Sequence, residues 1–392
     1  MNDVRTLLER GYADATPPPD GFERMLRRRD RKRRNQRITA GVVGIAVFVA
    51  AVWIVRDVTS LDSTRTVVPG GSGTTGPAET GPAVTAPETA YLIDLNTGEM
   101  TPLPKSIAGC CYAVSPDATM VAYVSLDDAG TSQVFIARLD GSDVQQVTQH
   151  GAAAPFDWSP DGAAIAYTSG WEEDLTNIFV LDLATGETSQ VTNEKPTTEK
   201  CVGCGPQGAA YPQFSPDGAS IVYEVYRGGD YVDVRIAPVT GGKSVLLVDD
   251  AALGTLSPDG SMLVVGCGDR FGGGICIGHA DGTNLRQLVS GSANGPKWSP
   301  DGTRIAYNDA DDNKIFVVDV AAGETTLVAK VSGPAQFELN WSPDGTRIAY
   351  TNLEYNHDTG EVKVVDVATG ETTLVAEGTS SEWLDDHTLI IQ

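Results

Sequence analysis

The chain has 392 residues, 41% of them apolar, with 43 glycines and 22 prolines, which is the composition of a β-rich protein with many turns rather than of a fibrous or disordered one. Its net charge of −24 is unevenly divided: residues 1–37 carry eleven Arg or Lys against six Asp or Glu, which leaves about −29 on the remainder. So acidic a body argues against nucleic acid as a partner.

In chain order, residues 1–37 read as a basic tail interrupted by Pro17, Pro18 and Pro19. Its basic residues cluster from Arg24 to Arg37, the ordinary signal that sets membrane topology. Docking to a cytoplasmic partner or to anionic lipid is the alternative use of the same charges. Ile38 to Val55 is an uncharged run of 18 residues, just long enough to cross a bilayer as a helix, with Trp53 placed for the far interface. The run is long for a signal peptide and no A-x-A site closes it, so an uncleaved anchor is expected. Positive charge on its N-terminal side puts residues 1–37 in the cytoplasm and everything after Asp57 outside. Residues 56–88 are rich in Thr, Ser, Gly and Pro and read as a flexible stalk, able to hold the next domain on the order of 30 Å from the membrane.

Residues 89–392 are built on one recurring turn. Ser159-Pro160-Asp161-Gly162 returns at Ser215, Ser257, Ser299 and Ser342, and Ser115-Pro116-Asp117-Ala118 is a sixth copy without its glycine. Proline presets the first corner, Asp can bond its own backbone, and Gly accepts the left-handed conformation. Trp158, Phe214, Trp298 and Trp341 precede four of the turns, and an alternating strand such as Ile165-Ala166-Tyr167 follows. The turn aspartates stand 44, 56, 42, 42 and 43 residues apart, a period that predicts four short strands per unit and a β-propeller. In the fifth unit the expected strands are Pro296–Trp298, Arg304–Tyr307, Lys314–Asp319 and Thr325–Val328.

The flanks of the array complement each other. Tyr91 to Glu99 matches the outer half of a unit, and Glu382 to Ile391 matches an inner half. Joined, they would make one composite blade that closes the ring, giving seven blades in all. The fold class expected is therefore all-β, a seven-bladed propeller preceded by one transmembrane helix.

The repeated Trp-Ser-Pro-Asp-Gly-x-x-Ile-Ala-Tyr pattern, followed by a strand ending in Asp and a Thr-Gly-Glu turn, resembles the repeat of the TolB-like propeller family, itself similar to WD-repeat propellers. The resemblance covers roughly residues 91–392. It implies the fold but no single function, because such propellers serve as binding scaffolds, periplasmic components and accessory domains of peptidases. TolB itself is similar to a six-bladed ring, so seven blades depart from it.

The turn aspartates are expected to be scaffold. Connectivity puts the repeated turns on one face and the irregular loops on the other, where a scaffolded binding surface belongs. That irregular face carries Trp171, Glu172 and Glu173, Tyr226 with Arg227, Asp269 with Arg270, Asp311 with Asp312, and Tyr355 with His357. The residues form either a solvated acidic rim or a platform for a basic ligand with aromatic anchors. Asn308 to Asn313 has oxygen ligands of the kind Ca²⁺ takes, without EF-hand spacing; otherwise no cofactor is expected. All six cysteines lie after the apolar run, where disulfides form. Cys267 with Cys276 is the expected hairpin pair. Cys201 with Cys204 and Cys110 with Cys111 are expected as local pairs, a bridge between those two groups and a Zn²⁺ site at Cys201 and Cys204 being the alternatives. The four histidines split between the two faces and cannot form a three-His metal site, and no G-x-S-x-G elbow occurs. The function expected is a membrane-anchored, extracytoplasmic binding or sensing scaffold for a protein, peptide or glycan. The rival is a lyase or hydrolase acting on a cell-surface polymer.

Overall fold

A computed structural model describes residues 90–392 except 108, 150–151, 171–174, 195–206, 228–231, 269–270, 310, 332–338 and 353–359. The expected tail at 1–37, helix at 38–55 and stalk at 56–88 lie outside the described residues. Among those described, the sole helix is a 3-10 turn, Lys105–Ile107, and none is long and apolar enough to cross a membrane.

The rest is strand. The first unit comprises Cys110–Val114, Met120–Leu126, Ser132–Arg138 and Gln145–Gln146. The second has Ala152–Trp158, Ala164–Ser169, Leu175–Asp182 and Thr188–Gln190, and the third Gln207–Phe214, Ser220–Tyr226, Val232–Pro238 and Val245–Val248. The fourth has Ala251–Leu256, Met262–Cys267, Ile275–His279 and Arg286–Val289. The fifth has Ala293–Trp298, Arg304–Asp309, Lys314–Asp319 and Thr325–Lys330, and the sixth Leu339–Trp341, Arg347–Asn352, Gly360–Asp366 and Thr372–Gly378. A further sheet combines Ser381–Trp383 and Thr388–Ile391 with Tyr91–Asp94 and Met100–Pro102. Its seam is antiparallel, Tyr91 opposite Ile391 and Asp94 opposite Thr388, as the complementary flanks of the array require.

Side-chain alternation explains how the sheets stack. In the Ile-Ala-Tyr strand, Ile and Tyr point to one face and Ala to the other. Ile305 and Tyr307 thus pack on the fourth unit, while Ala306 meets the sixth. Ile348 and Tyr350 pack back on the fifth, and Ala349 meets the composite sheet. A small residue on one face lets the next sheet approach the large pair on the other. Each fully buried Ile contributes roughly 1.5–3 kcal/mol. Such apolar clusters join every successive pair of units, and Val121, Tyr123 and Ile390 join the composite sheet to the first.

The repeated turn is closed by its own side chains. In the second unit the Ser159 hydroxyl donates to Asp161 at 2.6 Å, Asp161 accepts the Ala163 N–H at 3.0 Å, and Ser159 Oγ accepts the Ala164 N–H at 2.8 Å. The same bonds recur through Ser342 and Asp344. Ala118 takes the glycine's place at φ 56°, so the first turn keeps the left-handed corner. Successive turns also touch. A methyl added to Gly302 or Gly345 would stand 3.4 Å from Pro258 or 3.5 Å from Pro300, the proline of the preceding turn.

Two features depart from the sequence reading. The fifth unit's inner strand begins at Ala293 rather than Pro296, because a bulge between Asn294 and Lys297 carries the pairing further along the strand. Similar bulges interrupt the inner strands of the first four units. The long step between the second and third units has a consequence too. Gln207 and Gly208 pair in parallel with Leu175 and Thr176, joining two units into one sheet. Gly208, at φ 114°, allows this: a Cβ there would lie 2.2 Å from the Thr176 carbonyl oxygen.

Candidate functional site

On the irregular face, the structure describes four of the expected ligand-binding residues. Tyr226 ends the second strand of the third unit, and its hydroxyl donates to Glu224 at 2.7 Å. Its ring lies 6.1 Å from that of Tyr211, tilted by 37°. Tyr211 sits on the inner-strand bulge at φ 55°, a backbone conformation uncommon for a bulky residue. Burial raises the pKa of both phenols, and the Glu224 charge raises each further. Both stay neutral hydrogen-bonding groups in the physiological range. Arg227 pairs with the buried Asp233 from the edge of the sheet, and Arg235 approaches the same carboxylate at 3.5 Å. The third unit therefore presents two phenols beside a buried carboxylate, next to an Arg–Asp pair.

Asp311 and Asp312 lie in the fifth unit's loop and do not converge. Asp311 accepts from the Ser292 hydroxyl, and Asp312 pairs with Lys314 at 2.8 Å. Asp309 accepts the backbone N–H groups of both. Each carboxylate thus has its own local role, and among the described residues no three His, Cys, Asp or Glu side chains come together as a metal cage. Trp171, Glu172, Glu173, Asp269, Arg270, Tyr355 and His357 lie outside the described residues. So do Cys201, Cys204 and the side chain of Cys110, so the pairings drawn for them remain expectations. Cys267 and Cys276 are joined, their Cα atoms 5.4 Å apart across the hairpin.

The turn aspartates are fully engaged. Hydroxyl and backbone donors hold the carboxyl of Asp161 below its ordinary range and that of Asp259 at about 2. They remain ionised and committed to the scaffold.

A second group of residues is displayed by the inner strands, two places before the first residue of each turn and, outside the first and fourth units, immediately before an aromatic. The column runs from Asp157 through Gln213, Thr255, Lys297 and Asn340 to Glu382. The aromatic itself is turned between units, where its indole staples neighbouring inner strands. Trp298 donates to the Thr255 carbonyl at 3.3 Å, Trp341 to that of Lys297 at 3.1 Å, and Trp383 to that of Asn340 at 2.9 Å. The guanidiniums of Arg304 and Arg347 lie over Trp341 and Trp383, 5.1 and 5.5 Å from the ring centroids. Where the third unit has Phe214 and no indole, its backbone N–H donates to Asp157 at 2.7 Å instead.

Lys297, Asn340 and Glu382 line a cavity of about 310 Å³, walled by Trp341, Trp383 and Pro343 among others. Asp157 retains some exposure yet is enclosed by protein, and this burial pushes its carboxyl up to about 6; the Phe214 N–H and the Lys297 charge act in the opposite direction. The Lys297 charge reaches Asp157 although the two residues belong to units three apart in the array. Sequence reasoning missed this group. The available signal was a repeat position whose chemistry changes from unit to unit beside an aromatic that recurs in most of them.

No family model and no curated protein matches the sequence. Solved structures do match in fold. Oligogalacturonate lyase from Vibrio parahaemolyticus is 15% identical with a TM-score of 0.57, covering 76% of this chain and 88% of that one. The β-propeller domain of Cps50 (Swd1) from Myceliophteria thermophila is 16% identical with a TM-score of 0.50, covering 70% and 88%. TolB from Acinetobacter baumannii is 20% identical with a TM-score of 0.49; the match covers 74% of this chain and spans 65% of TolB's length. At these identities the likeness concerns the fold, which is a β-propeller.

Proposed function

We propose that the chain is a membrane-anchored binding scaffold: a TolB-like ring of seven blades, closed by the composite sheet and carried outside the cell on the 38–55 helix and the 56–88 stalk. Its ligand is a protein, peptide or glycan held on the irregular face. The observation that carries this reading is the third unit's cluster, where the paired phenols of Tyr211 and Tyr226 stand beside Glu224 and Arg227. Aromatic and arginine side chains of this kind anchor interfaces. The repeated acids on the opposite face are consumed in holding turns. A photo-crosslinking amino acid at Tyr226 should capture a discrete partner in intact cells, and one at Thr346 on the turn face should not. Equal capture from both sites, or none from Tyr226, refutes the assignment.

Topology is tested separately. A tag at the N-terminus should resist protease added to intact cells while one in the Asp140–Gly141 turn is cleaved. The fold shared with oligogalacturonate lyase supports a second reading, a lyase acting on a surface polymer. Turnover of oligogalacturonate by the full chain, lost on Tyr226→Phe, would favour it over a scaffold.

A further inference from the structure

We propose that Asn294 is a site of spontaneous self-modification, at which the backbone nitrogen of Gly295 displaces the side-chain nitrogen and leaves a carboxylate at the irregular end of the fifth unit's inner strand. Asn294 and Gly295 form the only Asn-Gly pair in the chain. Asn294 is exposed, and the Gly295 N–H donates to Asn294 Oδ1 at 2.8 Å. The attacking nitrogen is thus held against the group it attacks. The pair stands at the bulge between Asn294 and Lys297, so the glycine takes no part in the ladder with Arg304–Asp309. Gly295 has φ 60° and no Cβ to obstruct the carboxamide.

The seven Asp-Gly pairs among residues 90–392 show the opposite arrangement. In each, the glycine N–H donates to the carbonyl three residues back, at 2.8–2.9 Å. In each, the Asp Oδ1 accepts from the N–H two residues on, at 2.9–3.1 Å. Both reacting groups are thereby engaged elsewhere. Asp161 and Asp259 also stay ionised, and a carboxylate resists a nucleophile. At Asn294 the partner of the glycine nitrogen is the carboxamide itself.

The reaction needs only water. Gly295 N, on losing its proton, bonds to Asn294 Cγ while the Cγ–Nδ2 bond breaks, and the carboxamide nitrogen leaves with that proton as ammonia. Water then opens the five-membered imide. Addition at Cγ yields aspartate; addition at the main-chain carbonyl yields isoaspartate, with the chain rerouted through the side chain. Either product adds one negative charge next to the Ala293–Asp309 pair. The isoaspartyl product also lengthens the inner strand by one carbon opposite Asn308.

The test is incubation of the purified full chain, folded and unfolded in urea, beside a synthetic peptide of residues 290–299. Peptide mapping by mass spectrometry follows loss of the carboxamide, and electron-transfer fragmentation separates aspartate from isoaspartate. In the folded chain Asn294 should convert at a rate within about tenfold of the peptide's, rising about tenfold per pH unit through the neutral range as the nitrogen deprotonates. The Asp-Gly pairs should form isoaspartate in urea and none when folded. Asn294→Gln, whose ring would need a sixth atom, should stay intact and keep the wild-type urea midpoint, because the side chain is exposed. Conversion in the folded chain more than about tenfold slower than in the peptide would overturn the proposal, as would turns that isomerise as fast as Asn294. This comparison uses the unaltered protein, so it decides whatever a variant does. Its readout is chemical and independent of partner capture at Tyr226.

Discussion

Trp341→Phe tests the idea that indoles staple the units together. Trp341 is 9% exposed, donates to the Lys297 carbonyl at 3.1 Å, and lies under the Arg304 guanidinium at 5.1 Å. Phenylalanine keeps an aromatic face but removes the N–H and part of the ring. The stranded carbonyl costs about 1–2 kcal/mol. The vacated space in a cluster that includes Leu339, Ile348 and Tyr350 costs about 1 kcal/mol more. A weaker cation–π contact adds about 0.5 kcal/mol. The sum, about 2–4 kcal/mol, should appear as a lower urea midpoint at unchanged slope. Arg304→Met should cost less, since it removes the cation and one bond to the Gly345 carbonyl at 2.8 Å. The double variant should show a coupling of about 0.5–1 kcal/mol between the two side chains. A Trp341→Phe loss under about 0.5 kcal/mol, within the usual range for surface substitutions, would refute the stapling role.

Further outcomes rest on the same structure. Ile93→Ala, at a side chain 5% exposed in the composite sheet, should cost about 2–4 kcal/mol by denaturation, close to a loss in any complete unit. Replacing Cys267 and Cys276 together by Ser removes a cross-link with a sequence separation of 9 and should lower stability by about 2–3 kcal/mol, a difference that shrinks under reductant to the cost of placing a hydroxyl at the buried Cys276 position. Asp157 holds its proton up to about pH 6 when folded, whereas an unfolded Asp releases it near 3.9, so its contribution is full below about pH 4 and lost as pH rises through 6. Asp157→Asn should therefore gain on wild type between pH 4 and 7, by up to about 3 kcal/mol, read as urea midpoints against pH. The turn aspartates have the opposite sign. Asp259, lowered to about 2, supports the fold above about pH 4 and ceases to as pH falls through 2, which should appear as acid unfolding.

The fold was legible where one residue pattern has one local consequence. Ser-Pro-Asp-Gly closes a turn wherever it occurs, and Ile-Ala-Tyr alternates wherever it occurs. The joining of Tyr91 to Ile391 was legible for the same reason, since each half lacks what the other has. The inner-strand bulges were not. The residues spanning Asn294 to Lys297 include Gly295 and Pro296, which read as a strand limit, although the pairing resumes beyond them. The cavity residues were harder still. Lys297 and Glu382 are 85 positions apart and come to line one hollow only when the sheets stack. Tyr226 is legible as an aromatic on the irregular face, and its link to Glu224, two residues back on the same side of the strand, follows only once the strand is known to run through Tyr226.

The composite sheet has a consequence for how the protein is made. Tyr91 emerges early from the ribosome, but its partner Ile391 is among the last residues of the array to be synthesised. Until then the apolar flank of the first unit, around Val121 and Tyr123, has Ala90, Leu103 and Ile107 beside it but lacks Ile390. Contacts of such sequence separation form slowly, and an uncovered sheet is prone to pair with another chain. A nascent chain of this design spends its whole elongation as an open arc. Its yield should depend on whatever shields that arc until the last strand arrives.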